Sequence, residues 1–106
     1  MNSGVTKRQL YLAVYGPGPA WIPGQPTSAQ PLREHGRYIL DLHGRGQLRL
    51  AGPFPNDPGG AVLFEAEDEA SASAIVDADP AVTSGIMVCT LRRWEPLDWT
   101  EIAGRA

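Results

Sequence analysis

The chain has little cysteine, no long apolar run and no excess of positive charge. Cys89 is the only cysteine, which excludes an intramolecular disulfide and a cysteine-based metal site and makes a reducing, cytoplasmic compartment the expectation. No apolar stretch approaches the roughly 20 residues of a membrane-spanning helix. The opening Met1-Asn2-Ser3-Gly4 lacks the charged-then-apolar layout of a secretory leader. Nine basic against twelve acidic residues give a net charge of −3 with both signs dispersed. No basic stripe is present to neutralise phosphates, so no nucleic-acid partner is expected. Nor does a polybasic cluster or basic amphipathic helix point to a membrane surface.

What is present fits one domain, residues 1–106, with a core over 8–96 and a tail over 97–106. A hydrophobic fraction of 42% is enough for one sheet-and-helix core. A lone domain of this size buries only about two-thirds of its unfolded surface, so self-association would add stability.

Alternation over Arg8 to Tyr15 predicts a strand with Leu10, Leu12 and Val14 on one face and Tyr11, Ala13 and Tyr15 on the other. Gly16 to Pro31 is a long Gly/Pro/Ser-rich loop, a length usually tied to function or disorder, with Trp21 and Ile22 inside it. A helix is expected from near Pro31 to Gly44 or Gly46. Strands follow over Gln47 to Gly52 and Ala61 to Ala66, joined by a turn through Pro53 to Gly60. Acidic residues from Glu65 to Glu69 favour the start of a second helix, which Pro80 stops by disfavouring helical geometry at Asp79. Ile86 to Trp94 forms the last strand. In the tail, Trp99 and Ile102 are expected to dock.

The order strand, helix, strand, strand, helix, strand is the ferredoxin-like α+β arrangement, an antiparallel sheet with both helices on one face. The other face needs a cover. Tyr11, Ala13 and Tyr15, with the Ile86–Leu91 run, are expected to meet a second subunit, giving a homodimer or a higher assembly of dimers.

This connectivity gathers the 16–31 loop, the start of the first helix, the Gly52-Pro53-Phe54 turn, the end of the second helix and Ser84-Gly85 at one end of the domain. His35 falls on the apolar stripe of Leu32, Tyr38, Ile39 and Leu42. A polar ring there needs a hydrogen-bond partner. It is either a satisfied structural histidine or a catalytic or ligand-contacting one. Asp79 is the carboxylate placed to meet it, to fix its tautomer and to favour its protonated form. Tyr15 is either a core or interface residue or a pocket hydroxyl, and Trp21 either packs locally or lids the pocket. Gly52, Pro53 and Phe54 form a rigid turn or one pocket wall. Ser84 is a candidate hydrogen-bond donor, and the amides near Gly52 and Gly85 are candidates to receive developing negative charge.

Several of these stretches resemble the YCII-related (YciI-like) family. They are Tyr11-Leu-Ala-Val-Tyr-Gly-Pro-Gly-Pro-Ala-Trp21, His35-Gly-Arg-Tyr-Ile-Leu-Asp-Leu42, Gly46 to Phe54 with Gly59-Gly60, and Asp79-Pro-Ala-Val-Thr-Ser-Gly85 with the strand ending at Trp94. The resemblance covers about residues 8 to 96. It implies a dimeric α+β barrel and a His–Asp pair in a small pocket, positions matched here by His35 and Asp79. One relative is a dehydrochlorinase acting on a chlorinated hydroxyquinol, and muconolactone isomerases share the wider fold. The Gly/Pro-rich segment after Tyr15 is longer than in the shortest members.

Two functions follow as expectations. The first is a cofactor-independent lyase or isomerase of a small cyclic or aromatic oxygenated molecule, with His35 as acid or base and Asp79 orienting it. The second is a non-catalytic ligand-binding or sensing module using the same pocket. A purely structural dimer or an accessory chain would have no pocket at His35. No metal site is expected, because one His and one Asp fall short of a three-ligand zinc site. No Gly-x-Ser-x-Gly elbow supports a nucleophilic serine.

Overall fold

The computed structural model describes residues 8–106, so the reading of Met1–Gly4 lies outside the described residues. Four strands, β1 (Gln9–Pro17), β2 (Leu48–Pro53), β3 (Gly60–Ala66) and β4 (Met87–Trp94), form one sheet in the order β2-β3-β1-β4. Every neighbouring pair is antiparallel. The helices are α1 (Arg33–Gly44), α2 (Glu69–Asp77), α3 (Pro80–Thr83) and α4 (Trp99–Arg105). This is the expected ferredoxin-like α+β arrangement. No helix among the described residues is long and apolar enough to cross a membrane.

Local chemistry accounts for the element ends. Asp68 caps α2 by accepting from Ser71 N at 2.8 Å, and these bonds hold its carboxyl below the usual range. Pro80 takes the first position of α3, whose cap is Asp79 in extended geometry. The sequence reading ended helix two at this corner but had no α3. Four residues are too few for periodicity to register. Gly46 follows α1 at φ +74, the left-handed geometry that ends helices and favours glycine.

The core lies between the sheet and α1–α3. Inward come Tyr11, Ala13 and Tyr15 from β1 (1%, 0% and 4% exposed), then Val62 and Phe64 from β3, with Leu42, Ala72 and Val76 from the helices. This reverses the expected assignment of faces. Tyr11, Ala13 and Tyr15 meet the helices rather than a second subunit, while Leu10, Leu12 and Val14 lie on the uncovered face. Both faces of β1 are apolar, so alternation alone does not say which is inward. The Tyr15 hydroxyl decides it, because it finds its partner on the helical side, donating to Asp79 Oδ2 at 2.9 Å, whereas Tyr11 donates along its own strand to Gln9 Oε1 at 3.1 Å. The Ile86–Leu91 run is likewise split, with Ile86 and Met87 buried and Val88 54% exposed.

The tail also differs from its expectation. It is helical, capped by Asp98 accepting from Glu101 N at 3.0 Å, but α4 buries no residue and Trp99 is 68% exposed. The local cap suffices to form the turn, and among the described residues no groove receives the indole.

Candidate active site

His35 is the third residue of α1, on the stripe that Leu32, Ile39 and Leu42 direct to the sheet. Asp79 sits where α2 gives way to α3, forced out of helical geometry by Pro80 (φ −64, ψ 126). The fold closes the gap between them: His35 Nδ1 is 2.8 Å from both carboxylate oxygens. Asp79 is completely buried and the His35 side chain is 18% exposed. A buried charge needs several donors, and Asp79 has three. Nδ1 is one, Ala81 N reaches Oδ1 at 2.9 Å, and the Tyr15 hydroxyl reaches Oδ2 at 2.9 Å. The Tyr15 and His35 rings also meet edge-on, with centroids 5.5 Å apart.

Electrostatics orders these bonds. Burial, and then the charge of Asp79, push the Tyr15 phenol far above its ordinary 10.0. Tyr15 therefore keeps its proton and donates it. A carboxylate can only accept, so the proton between His35 and Asp79 belongs to Nδ1. Nε2 is then the nitrogen left to meet a ligand, and it bonds to no other described residue. Tyr38 anchors the helical layer from the next turn of α1, donating to Ile75 O at 2.7 Å.

His35 lines a cavity of about 320 Å³ between α1, the sheet end and the β2–β3 turn, within the usual range for small-molecule sites. Its walls are mostly apolar: Leu32, Ile39, Val62 and Met87, with the backbone of Gly52, Pro53, Gly59 and Gly60. Among the described residues no lysine or arginine reaches it. Gly59 is built into the wall at φ +95, where a Cβ would collide with the Tyr15 carbonyl. Thr27 Oγ1 accepts from Gly59 N at 3.1 Å and ties the 16–31 loop to the turn.

The structure thus brings together His35, Asp79, Tyr15, Gly52 and Pro53. Trp21 and Phe54 instead line a neighbouring depression between the loop and the turn. Ser84 and Gly85 line neither depression. Ser84 Oγ points to Ala81 O at 3.4 Å. The Gly85 amide already donates to Val82 O at 3.0 Å, and its carbonyl accepts from Ala20 N at 2.8 Å, so it has no free N–H for an oxyanion. The candidate donors near Gly85 are withdrawn on that ground, whereas Gly52 remains in the wall on the edge strand.

Sequence reasoning missed the apolar walls Val62 and Met87, which read as ordinary core residues. It also missed Gln30, only 7% exposed. Its side chain accepts from Ile22 N at 2.8 Å and donates to Ile22 O and Gln25 O at 3.0 and 3.2 Å, fastening the loop from within. A glutamine in a Pro/Ser-rich stretch carries no signal of that kind. Cys89 is on β4 as expected. Burial, followed by the charges of Asp79 and Asp77, pushes its thiol up to about 11, which makes it a poor nucleophile at neutral pH.

Against known proteins, a family model for the YCII-related domain matches residues 10–95. The chain is also similar to Uncharacterized protein YjpA of Bacillus subtilis (strain 168), with 34% identity over 61 residues, 58% of this chain and 72% of that one. That protein's name assigns it no activity. The matched span includes the sheet, α1–α3, His35 and Asp79, and with well over half the sequence inside it the chain belongs to the YCII-related domain family.

Proposed function

We propose that the protein is a cofactor-independent acid–base enzyme, a lyase or isomerase acting on a small cyclic or aromatic oxygenated molecule. The observation that carries this reading is the 2.8 Å contact between His35 Nδ1 and the buried Asp79 carboxylate at the wall of an apolar cavity. Asp79 holds the Nδ1 proton, so Nε2 presents its lone pair as a base. Nε2 removes a proton from carbon beside a carbonyl, and the C–H electron pair becomes an enolate. The imidazolium returns that proton at another carbon in an isomerisation. In an elimination the pair expels a leaving group and the proton passes to it or to water. Asp79 supports the charge that His35 gains in between.

The walls narrow the substrate. With no lysine or arginine among the described lining residues, a carboxylate or phosphate would enter beside a buried anion without a counter-charge. A neutral ring carrying one or two oxygens suits the cavity better. Deuterium exchange tests the chemistry: a panel of small cyclic ketones, lactones and phenols is incubated with the protein in D₂O and read by proton NMR. Exchange or conversion is expected with wild type and should fall at least about 100-fold in His35→Gln. Compounds that bind without exchange or conversion would replace this reading with the binding-module one, which the scarcity of polar wall groups favours.

Self-association is the second part of the reading. The sheet face away from the helices carries Leu12, Val14, Leu50, Leu63 and Val88, with Leu50 69% and Val88 54% exposed. These apolar side chains share the face with Thr90 and Arg92, which sit opposite Val14 and Leu12. An exposed apolar patch of this kind marks an interface, and a second copy supplies a matching surface under two-fold symmetry. A dimer in sedimentation velocity is expected, and a monomer at all concentrations would reject it.

A further inference from the structure

A buried carboxylate with three donors is more heavily stabilised than the orientation of one imidazole requires. Nδ1 of His35 and the Ala81 amide would already fix the geometry of Asp79. The third donor, the Tyr15 hydroxyl at 2.9 Å, comes from a strand 64 positions away in sequence. Its proton is firmly held, so it acts only as a donor. Each donor draws charge from the carboxylate, and a carboxylate with more donors is a weaker base toward the rest. The histidine and the phenol therefore compete for one anion.

We propose that Tyr15 is a positioning residue that sets how strongly Asp79 holds a proton on His35, by sharing the carboxylate's charge through its hydroxyl bond to Oδ2. This rests on the acid–base reading of the His35–Asp79 pair and deepens it. Without the hydroxyl, the anionic form of the pair loses a donor and binds its next proton more tightly. With it, Nε2 remains a free base to lower pH. The phenol thus acts through Asp79, and only its ring edge meets His35.

Other groups near the carboxylate do not offer the same control. Tyr38 on α1 and Cys89 on β4 both have their proton loss moved upward by burial, so they stay uncharged where histidine titrates. Tyr38 donates to Ile75 O and Cys89 to Thr90 O, and neither bonds to Asp79. Asp77 ends α2 and makes no side-chain hydrogen bond to Asp79. Arg45 and Asp41 on α1 pair with each other at 3.3 Å.

The test needs no substrate. The imidazole nitrogens of His35 are followed by NMR across about pH 5 to 9 in the ¹⁵N-labelled full chain, with thermal unfolding beside it. Wild type, Tyr15→Phe and Asp79→Asn are compared. Tyr15→Phe keeps the ring contact and removes only the hydroxyl. It is expected to move the midpoint of the coupled pair upward by about one pH unit, a tenfold gain in proton affinity. Asp79→Asn is expected to move it down. A Tyr15→Phe midpoint within about 0.2 unit of wild type, well under the one-unit step expected, overturns the proposal even if thermal stability falls, because a structural role alone gives that pattern. A downward move overturns it as well. If Asp79→Asn leaves the midpoint unchanged, the pair itself is disproved, which is a distinct result. If Tyr15→Phe does not fold, a fluorotyrosine installed at position 15 serves instead. That more acidic phenol is a stronger donor and should move the midpoint down, and an unchanged or raised midpoint overturns the proposal.

Discussion

The two faces of β1 are built from residues of similar hydrophobicity and meet different fates. Tyr11, Ala13 and Tyr15 are 1%, 0% and 4% exposed beneath the helices, while Val14 on the other face is 37% exposed. The inner face takes the side chains with a polar tip and the outer face takes only aliphatic ones. A phenol can enter the core when the helical layer brings an acceptor to its oxygen, as Asp79 does for Tyr15. An aliphatic face makes no such demand and suits contact with any dry surface, including its own copy. Polarity within an apolar strand is therefore a better guide to the inward face than hydrophobicity.

The sharpest way to break this contrast is to empty the inner face. Phe64, 1% exposed and stacked obliquely on Tyr11 with centroids 6.2 Å apart, should cost about 3–5 kcal/mol when replaced by Ala, read by urea unfolding. Alkali probes the same face less severely. The unfolded chain releases the Cys89 proton at its ordinary 9.0 and the folded chain near 11. Between those values the folded state binds more protons, so stability is full below pH 9 and declines through that window. Tyr15 adds its own decline from about pH 10 upward, since its folded-state proton is held far more tightly. Melting temperature against pH should show both onsets, and Cys89→Val should remove the earlier one. On the outer face, Leu12→Glu should change folding by no more than about 0.5 kcal/mol in a monomer. The same change should abolish the proposed dimer in sedimentation velocity.

Much of the architecture was legible in the sequence because its signals are local. The alternation of β1, the apolar stripe of α1, the acidic start of α2 and the Pro80 stop each lie within one element. His35 and Asp79 could be placed at the same end because connectivity fixes the direction of every strand and helix. The missing parts depend on contacts between distant segments. The inward face of β1 was decided by a hydroxyl and a carboxylate on different elements. The inside of the 16–31 loop was decided by Gln30, whose amide reaches back to Ile22. The amide of Gly85 is engaged by a helix too short to read. Trp21 and Phe54 were grouped with His35 because they share an end of the domain. They are separated from it by the Thr27–Gly59 bond, which divides that end into two depressions.

Asp79 holds two posts at once, since the Oδ1 that faces His35 also caps α3 through the Ala81 amide. A lineage without the proposed acid–base chemistry would still need an acceptor at that corner to keep the chain turning, so drift would erase the histidine before the aspartate. Among relatives, an Asp-Pro pair at this corner reports that the corner persists. The residue facing it from α1 reports whether the proposed chemistry does.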